Sequence, residues 1–550
     1  MPNGAEANEK RKIHLHIGGE PRESGSGGVH EHLDPYTQEV QTLVPLAGAA
    51  EVDEAVERAL AVKESWRRTP PERRRDILNR LAELIEENRA GFVEAARRDN
   101  GHTAWAGNVT VDTVLQYVRY YAGWCDKLTG DVMGTLDTRG EFAYTVPEPI
   151  GIVGIIITWN GPLISLGMKV IAALAAGNCV ICKPAELNAH VPELFARVAR
   201  EAGIPDGVLS IFHGTGEAGE AIIRHKKIRK ISFTGGPITA RKILQACAEQ
   251  IKPTVMELGG KSANIVFPDC DLDSAAALSV YGVFMFGSGQ GCALPTRALV
   301  HADIYDAFVE KVKALMATLT VGDPSDPATI VGPVMNKAAA DRIEAMFERA
   351  KQDNAATFLV GGNRCGGALA GLNFIEPTLI ADADPDHEIS QVEIFGPALI
   401  IAKFHDEDEA VAIANNSEYG LAAYIQSRDV QRVLSLSERL VSGGVYINGG
   451  SQVNAYTPFG GEIQLSAENL GDHVLFNVVD NGIGLSAEDM EQIGQPFCRG
   501  MRSLLVRSHP GIGLRLYLAR EILIRQGGDL IFSGEPDVGS TFSFILPVAR

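Results

Sequence analysis

From residue 51 to 99, apolar residues recur at helical spacing. Val52, Ala55, Val56 and Leu60 fall on one face, with charged residues between them. The period then changes. Short apolar runs rich in β-branched residues appear at GIVGIIIT (151–158), NCVICKP (178–184), VLSIFHG (208–214) and IRKISFTGG (228–236). Helical spacing separates and follows them at Ile164–Ala176, Val191–Ala202, Gly216–Ile223 and Ile238–Gln250. Strands alternating with helices predict a parallel sheet covered on both faces. A second alternating block begins after Glu257 and runs to about residue 450.

At 550 residues the chain is too long for one core and implies several domains. An apolar content of 45% and a charged content of 22% are those of a folded globular protein. The net charge of −19 speaks against a nucleic-acid partner, because phosphate binding draws on Lys and Arg. The longest apolar stretch, Met168–Cys182, is interrupted by Lys169 and Asn178 and is shorter than the ~20 residues a membrane helix needs. The start, MPNGAEANEKRK, is polar and carries no signal-peptide core. No membrane partner is therefore expected. The eight cysteines are scattered, which gives no disulfide framework and makes a reducing cytoplasm the default location. Cys179 and Cys182 form a CxxC inside a predicted buried strand, where residues three apart face opposite ways. That spacing predicts neither a redox pair nor a metal site, and no metal is expected elsewhere.

The chemistry-bearing stretches sit at the ends of the predicted strands. TWNGP (158–162) follows the first, KPAE (183–186) ends the second, and SFTGG (232–236) leads into a helix opened by Pro237. MELGGKS (256–262) sets a carboxylate beside two glycines, and GSGQGCALPTR (287–297) sets Cys292 after a glycine-rich turn. EIFGP (393–397), NNSEYGLAA (415–423), YIN (446–448) and PFGG (458–461) follow. In this order and spacing, residues 12–461 resemble the NAD(P)-dependent aldehyde dehydrogenase superfamily. The resemblance implies an α/β fold of two doubly wound parallel-sheet domains, a Rossmann-like cofactor domain and a catalytic domain, with an oligomerisation hairpin. It divides the chain into an NAD-binding domain (1–126 and 149–257), the hairpin (127–148) and a catalytic domain (258–461).

The same resemblance implies the roles of individual residues. Cys292 is the nucleophile, since a thiolate both attacks a carbonyl and leaves well. Asn160 and the Cys292 backbone N–H would hold the oxyanion. Glu257 would be the general base for the thiol or the deacylating water. Lys169 matches a lysine near the proton path, though its place in an apolar helix also fits a structural lysine that snorkels. On the cofactor side Trp159, Lys183, Glu186, Gly214, Gly235, Gly236, Glu393 and Phe395 match the dinucleotide contacts. A carboxylate at Glu186 accepts from ribose hydroxyls and repels a 2′-phosphate, which favours NAD over NADP. The implied partner is a small-molecule aldehyde substrate.

Some positions depart from the family pattern. Gly236 stands where a serine is usual and Ala240 where a glycine is usual. Gly161 and Met168 stand where the family often has aromatics. This predicts a roomier substrate tunnel, with Phe286 and Phe459 as its remaining aromatic walls, and a preference for bulky or aromatic aldehydes.

After PFGG the family's usual Gly-Arg-Glu segment and last strand are replaced. DNGIGL (480–485), IGQPF (493–497), GIGLRL (511–516), GGDL (527–530) and GSTFSFILP (539–547) resemble the ATP-binding domain of sensor histidine kinases. Its Asn-bearing helix is missing upstream, where glycines oppose a helix. Residues 462–550 therefore read as an incomplete α/β sandwich of kinase ATPase type joined to a dehydrogenase. Loss of the last strand is expected to weaken a homo-oligomer. The alternatives are a catalytically impaired chimera and an ATP-binding or signalling protein regulated by its kinase-like segment.

Overall fold

The computed structural model describes residues 12–133, 143–450, 453–457, 459–460, 464–469, 473–480, 529–535 and 539–547. The chain forms two compact units, Met1–Phe459 and Gly460–Arg550. The tip of the predicted hairpin and most of the kinase-like boxes (481–485, 493–497 and 511–516) lie outside the described residues.

The larger unit holds two seven-stranded sheets. In the first, neighbouring strands run Thr254–Glu257, Ile228–Thr234, Ile152–Ile156, Cys179–Lys183, Leu209–Ile211, Leu15–Ile17 and Glu20–Arg22. The first five are parallel, and the N-terminal pair adds an antiparallel edge. Chain order departs from Ile152–Ile156 in both directions, towards Cys179–Lys183 on one side and Ile228–Thr234 on the other. That is a topological switch point, where loops at the strands' C-terminal ends diverge and leave a crevice. The strands are apolar because both faces are covered. Ile152, Ile155, Val180, Ile181 and Ile231 are buried in one continuous core with the helices Ala49–Arg67, Pro71–Glu87 and Ala104–Trp124.

The second sheet runs Thr357–Val360, Thr378–Ala381, Ala398–Phe404, Arg297–His301, Ala263–Val266, Ala422–Gln426 and Gly444–Ile447. Only Thr357–Val360 is antiparallel to its neighbour. Cys292 lies just before the strand Arg297–His301, Gly259–Gly260 just before Ala263–Val266, and Glu393–Phe395 just before Ala398–Phe404. The second sheet thus contributes loops from its strands' N-terminal ends, and the first contributes loops from its C-terminal ends. Val132–Met133 pairs with Ala143–Tyr144, the two sides of the predicted hairpin. The smaller unit contains a four-stranded antiparallel sheet, Gln464–Asn469, His473–Asp480, Gly539–Pro547 and Asp529–Glu535. Two of these strands fall on GSTFSFILP and GGDL.

One predicted element differs. Ile164–Ala176 is not a plain α-helix. It opens as α over Pro162–Ser165, widens to a π turn over Leu166–Ile171 and closes as α over Ala172–Ala175. A π turn holds an extra residue without breaking the apolar face, so periodicity does not reveal it. Gly167 sits in this turn, and a Cβ there would lie 2.8 Å from Val114 Cγ2.

The GSGQG sequence also has a structural reason. Gly287, Ser288 and Gly289 take φ of 56°, 55° and 80°, three successive residues in the left-handed region that favours glycine. Ser288 is held there by its hydroxyl donating to Gly332 O at 2.9 Å. A Cβ on Gly289 would lie 2.0 Å from Gly396 O. Gly289→Ala is therefore expected to cost more than ~1 kcal/mol and to lower the urea midpoint. Gly161→Ala, at φ −152° and facing open space, is the control expected to change it little. Equal midpoints for the two variants would contradict this account of the loop.

Candidate active site

Seven of the expected residues line one cleft of about 340 Å³. Trp159, Asn160, Gly235, Gly236, Cys292, Glu393 and Phe395 share it with Thr158, Thr234, Leu258, Gly259, Met335, Asn336, Ala339 and Arg342. The cleft lies at the switch point of the first sheet and faces the N-terminal loops of the second. Trp159 and Phe395 meet edge to face, with centroids 5.3 Å apart. Phe395 holds a φ of 50°, a strained position for a residue with a Cβ.

The glycines of MELGGKS let the two catalytic loops close in. A Cβ on Gly260 would lie 2.0 Å from Cys292 O, and one on Gly259 would lie 2.6 Å from Glu393 Oε2. The Gly260 N–H donates to Glu393 Oε1 at 2.9 Å. Asn160 spends one amide hydrogen on Gln290 O at 2.9 Å, which fixes the plane of its carboxamide and leaves a second donor. Gln290 is itself tied to Gly287 O and to the Met335 N–H.

The titrating groups around Cys292 are all displaced. Burial, with Glu393 and Glu257 nearby, pushes the Cys292 thiol up to about 12. Glu257 ends the strand Thr254–Glu257, and its Oε2 is buried without a hydrogen-bond partner. Burial pushes its carboxyl up to about 7, and Lys169 opposes the shift. Lys169 stands on the π turn and donates to Ser232 Oγ at 2.9 Å. Burial lowers its ammonium to about 8, and Glu257 raises it. The lysine therefore faces the carboxylate inside the protein and does not snorkel to the surface. Glu393 is pushed up to about 7 by burial, against the Gly260 N–H, Lys261 and Arg342.

The expected adenosine contacts form a separate group at the ends of neighbouring strands. Lys183 is buried, and its ammonium lies 3.9 Å from Glu186. A Cβ on Gly214 would lie 2.6 Å from Ala218 Cβ and 3.7 Å from Lys183 Cε. These residues fit a dinucleotide. Gly236 caps the helix Pro237–Ala248 with open space where a Cβ would stand, so the helix N-terminus is bare for a pyrophosphate. Thr234 Oγ1 lines the same cleft as a buried hydroxyl without a partner.

Of the two expected aromatic walls, Phe286 packs on His102, with centroids 5.3 Å apart. His102 is buried and hydrogen-bonded to the Asn160 backbone. Phe459 does share a cluster with Cys292, as does Tyr446. Tyr446 stacks on Tyr424 at 5.2 Å, and Tyr424 OH donates to Ala293 O. Tyr446 lay inside the YIN motif but without a role. Arg342 carried no local signal; the fold brings it to Glu393. A buried amide network also went unread: Asn100 donates to Trp159 O and Asn188 Oδ1, and Asn188 donates to Thr158 O.

The family model for aldehyde dehydrogenases matches residues 22–468. The chain belongs to the aldehyde dehydrogenase family. An aldehyde dehydrogenase of Emericella nidulans is 38% identical over 473 residues, 85% of this chain and 94% of that protein. The NAD+ complex of an aldehyde dehydrogenase from Bacillus cereus superposes with a TM-score of 0.79 at 34% identity, covering 84% of this chain and 93% of that one. An NADP-dependent enzyme of E. coli superposes with a TM-score of 0.79 at 30% identity, covering 82% and 93%. Residues 451–550 match the model for histidine kinase-, DNA gyrase B- and HSP90-like ATPases. The two family models thus overlap on 451–468, the stretch that holds NAYTPFGGEIQL.

The Lys169–Glu257 pair makes a signed prediction for this aldehyde dehydrogenase. Lys169 favours the charged carboxylate, so removing it raises the Glu257 pKa. In Lys169→Gln the acid limb of kcat/KM, expected to follow the Glu257 carboxyl at about 7, is expected to move to higher pH. Activity at pH 6.5 should fall more than at pH 9. An unmoved limb would separate Glu257 from the rate.

Proposed function

We propose that the chain oxidises an aldehyde to a carboxylic acid with NAD, through a thiohemiacetal and then a thioester on Cys292. The observation that carries the reading is that Cys292 lines the cleft shared by Trp159, Asn160, Glu393 and Phe395, with Glu257 near enough to raise its thiol. At rest Cys292 is a thiol, and Glu257, ionised above neutrality, is the base that takes its proton as the aldehyde is attacked. Attack on the aldehyde then places the oxyanion within reach of the free Asn160 donor and the Cys292 N–H. Bound against Trp159, Glu393 and Phe395, the nicotinamide would supply the hydride acceptor. Glu257, freed of its proton, activates the water that releases the acid from Cys292.

Glu186 supports NAD over NADP, since its carboxylate suits free ribose hydroxyls. The division into an NAD-binding domain (1–126 and 149–257), a hairpin (127–148) and a catalytic domain (258–461) accords with the two sheets. The open space at Gly161 supports a wide tunnel, bounded by Phe459 and Tyr446 on the evidence of their packing with Cys292. The kinase-like segment is given no role in the reaction.

The test is NADH formation by the purified full chain across a panel of aldehydes. Turnover is expected, with higher kcat/KM for aromatic aldehydes than for acetaldehyde. It should fall at least roughly a thousand-fold in Cys292→Ala. Glu186→Ala should raise the KM for NAD and narrow the preference over NADP. Turnover unaffected by Cys292→Ala would overturn the mechanism.

A further inference from the structure

Among the described residues, two groups of histidines and carboxylates come together outside the lining of the Cys292 cleft, and they differ in kind. His32, Asp99 and His190 are fully buried. Asp99 is saturated: the backbone N–H groups of Ala189, His190 and Val191 and the His190 Nδ1 all reach it. It anchors the start of the helix His190–Glu201 and has nothing left for a ligand. His14, His16 and Glu193 form the second group, and it is open at one side. His16 and Glu193 are nearly buried, with side chains 8% and 11% exposed, whereas His14 is 22% exposed and faces the way in.

The three side chains converge from two elements. His14 and His16 flank Leu15 at the start of the strand Leu15–Ile17, and two residues apart they lie on the same face. Glu193 comes from the first turn of the helix His190–Glu201. His14 Nδ1 lies 3.1 Å from Glu193 Oε1 and His16 Nε2 lies 2.9 Å from Glu193 Oε2. The His14 N–H also donates to Oε2 at 3.0 Å. No Lys or Arg ion-pairs with Glu193 among the described residues.

We propose that His14, His16 and Glu193 form a divalent transition-metal site that staples the N-terminal strand to the helix His190–Glu201. Two imidazoles and one carboxylate suit a first-row ion such as Zn²⁺. Ligand atoms around a tetrahedral ion with ~2.0–2.1 Å bonds lie roughly 3.3 Å apart. The three ligand atoms here already lie within 4.8 Å of one another, so small ring movements admit an ion. A fourth position at the His14 side remains for water. The ion adds stability to the folded chain through mass action.

The test uses the full chain, dialysed against a chelator and then titrated with Zn²⁺ by calorimetry at pH 7.5. One ion per chain is expected to bind and to raise the thermal midpoint. His14→Gln, His16→Gln and Glu193→Gln should each weaken binding at least about ten-fold. His14→Gln is the variant least exposed to folding defects, and its midpoint in chelator should equal that of the parent. Co²⁺ separates this site from the cysteines: visible d–d bands without a sulfur charge-transfer band place the ion on His and Glu. A thiolate band at one equivalent, or Zn²⁺ binding unchanged in all three variants, would overturn the proposal.

Discussion

The site depends on the enclosure of Cys292. Burial beside two carboxylates holds Cys292 as a thiol at about 12, so on the proposed mechanism its attack needs an adjacent base. The same enclosure lifts Glu257, the base proposed for it, to about 7. Lys169 keeps the lift from going further and is itself lowered to about 8 by the same desolvation. One physical cause, removal from water, therefore brings Glu257 and Lys169 towards neutral pH and holds Cys292 protonated there.

That enclosure is built by apposing opposite strand ends. The first sheet offers the loops after its strands, and these carry Asn160, Gly235–Gly236 and Glu257. The second offers the loops before its strands, and these carry Cys292 and Glu393. Backbone must approach backbone closely for the two sets to meet. Gly260 against Cys292 O and Gly289 against Gly396 O are the places where any side chain would collide. The glycines are a geometric condition of the chemistry, and the strained Ser288 and Phe395 are held where that condition leaves no alternative.

Much of this was legible in the sequence, because the relevant signals are local. Strand–helix alternation gave the parallel sheets, and the glycine motifs marked the strand ends where Cys292, Glu257, Asn160 and Glu393 stand. What escaped has a non-local cause. The π turn under Lys169 keeps the apolar face intact, so its extra residue leaves no trace in the period. Arg342 reaches Glu393 from a helix with no motif. His16 and Glu193 are 177 residues apart, and only the folding of the strand Leu15–Ile17 beside the helix His190–Glu201 brings them together.

The central claim is that the acyl group passes through a thioester on Cys292 that Glu257 releases. The direct measurement is the intact mass of the parent chain, acid-quenched within the first turnover after mixing with NAD and an aldehyde. The account predicts an acyl adduct mapping to Cys292 that accumulates towards one per chain as the first NADH forms. NADH formed with no adduct on Cys292, or with the adduct on another residue, would contradict it.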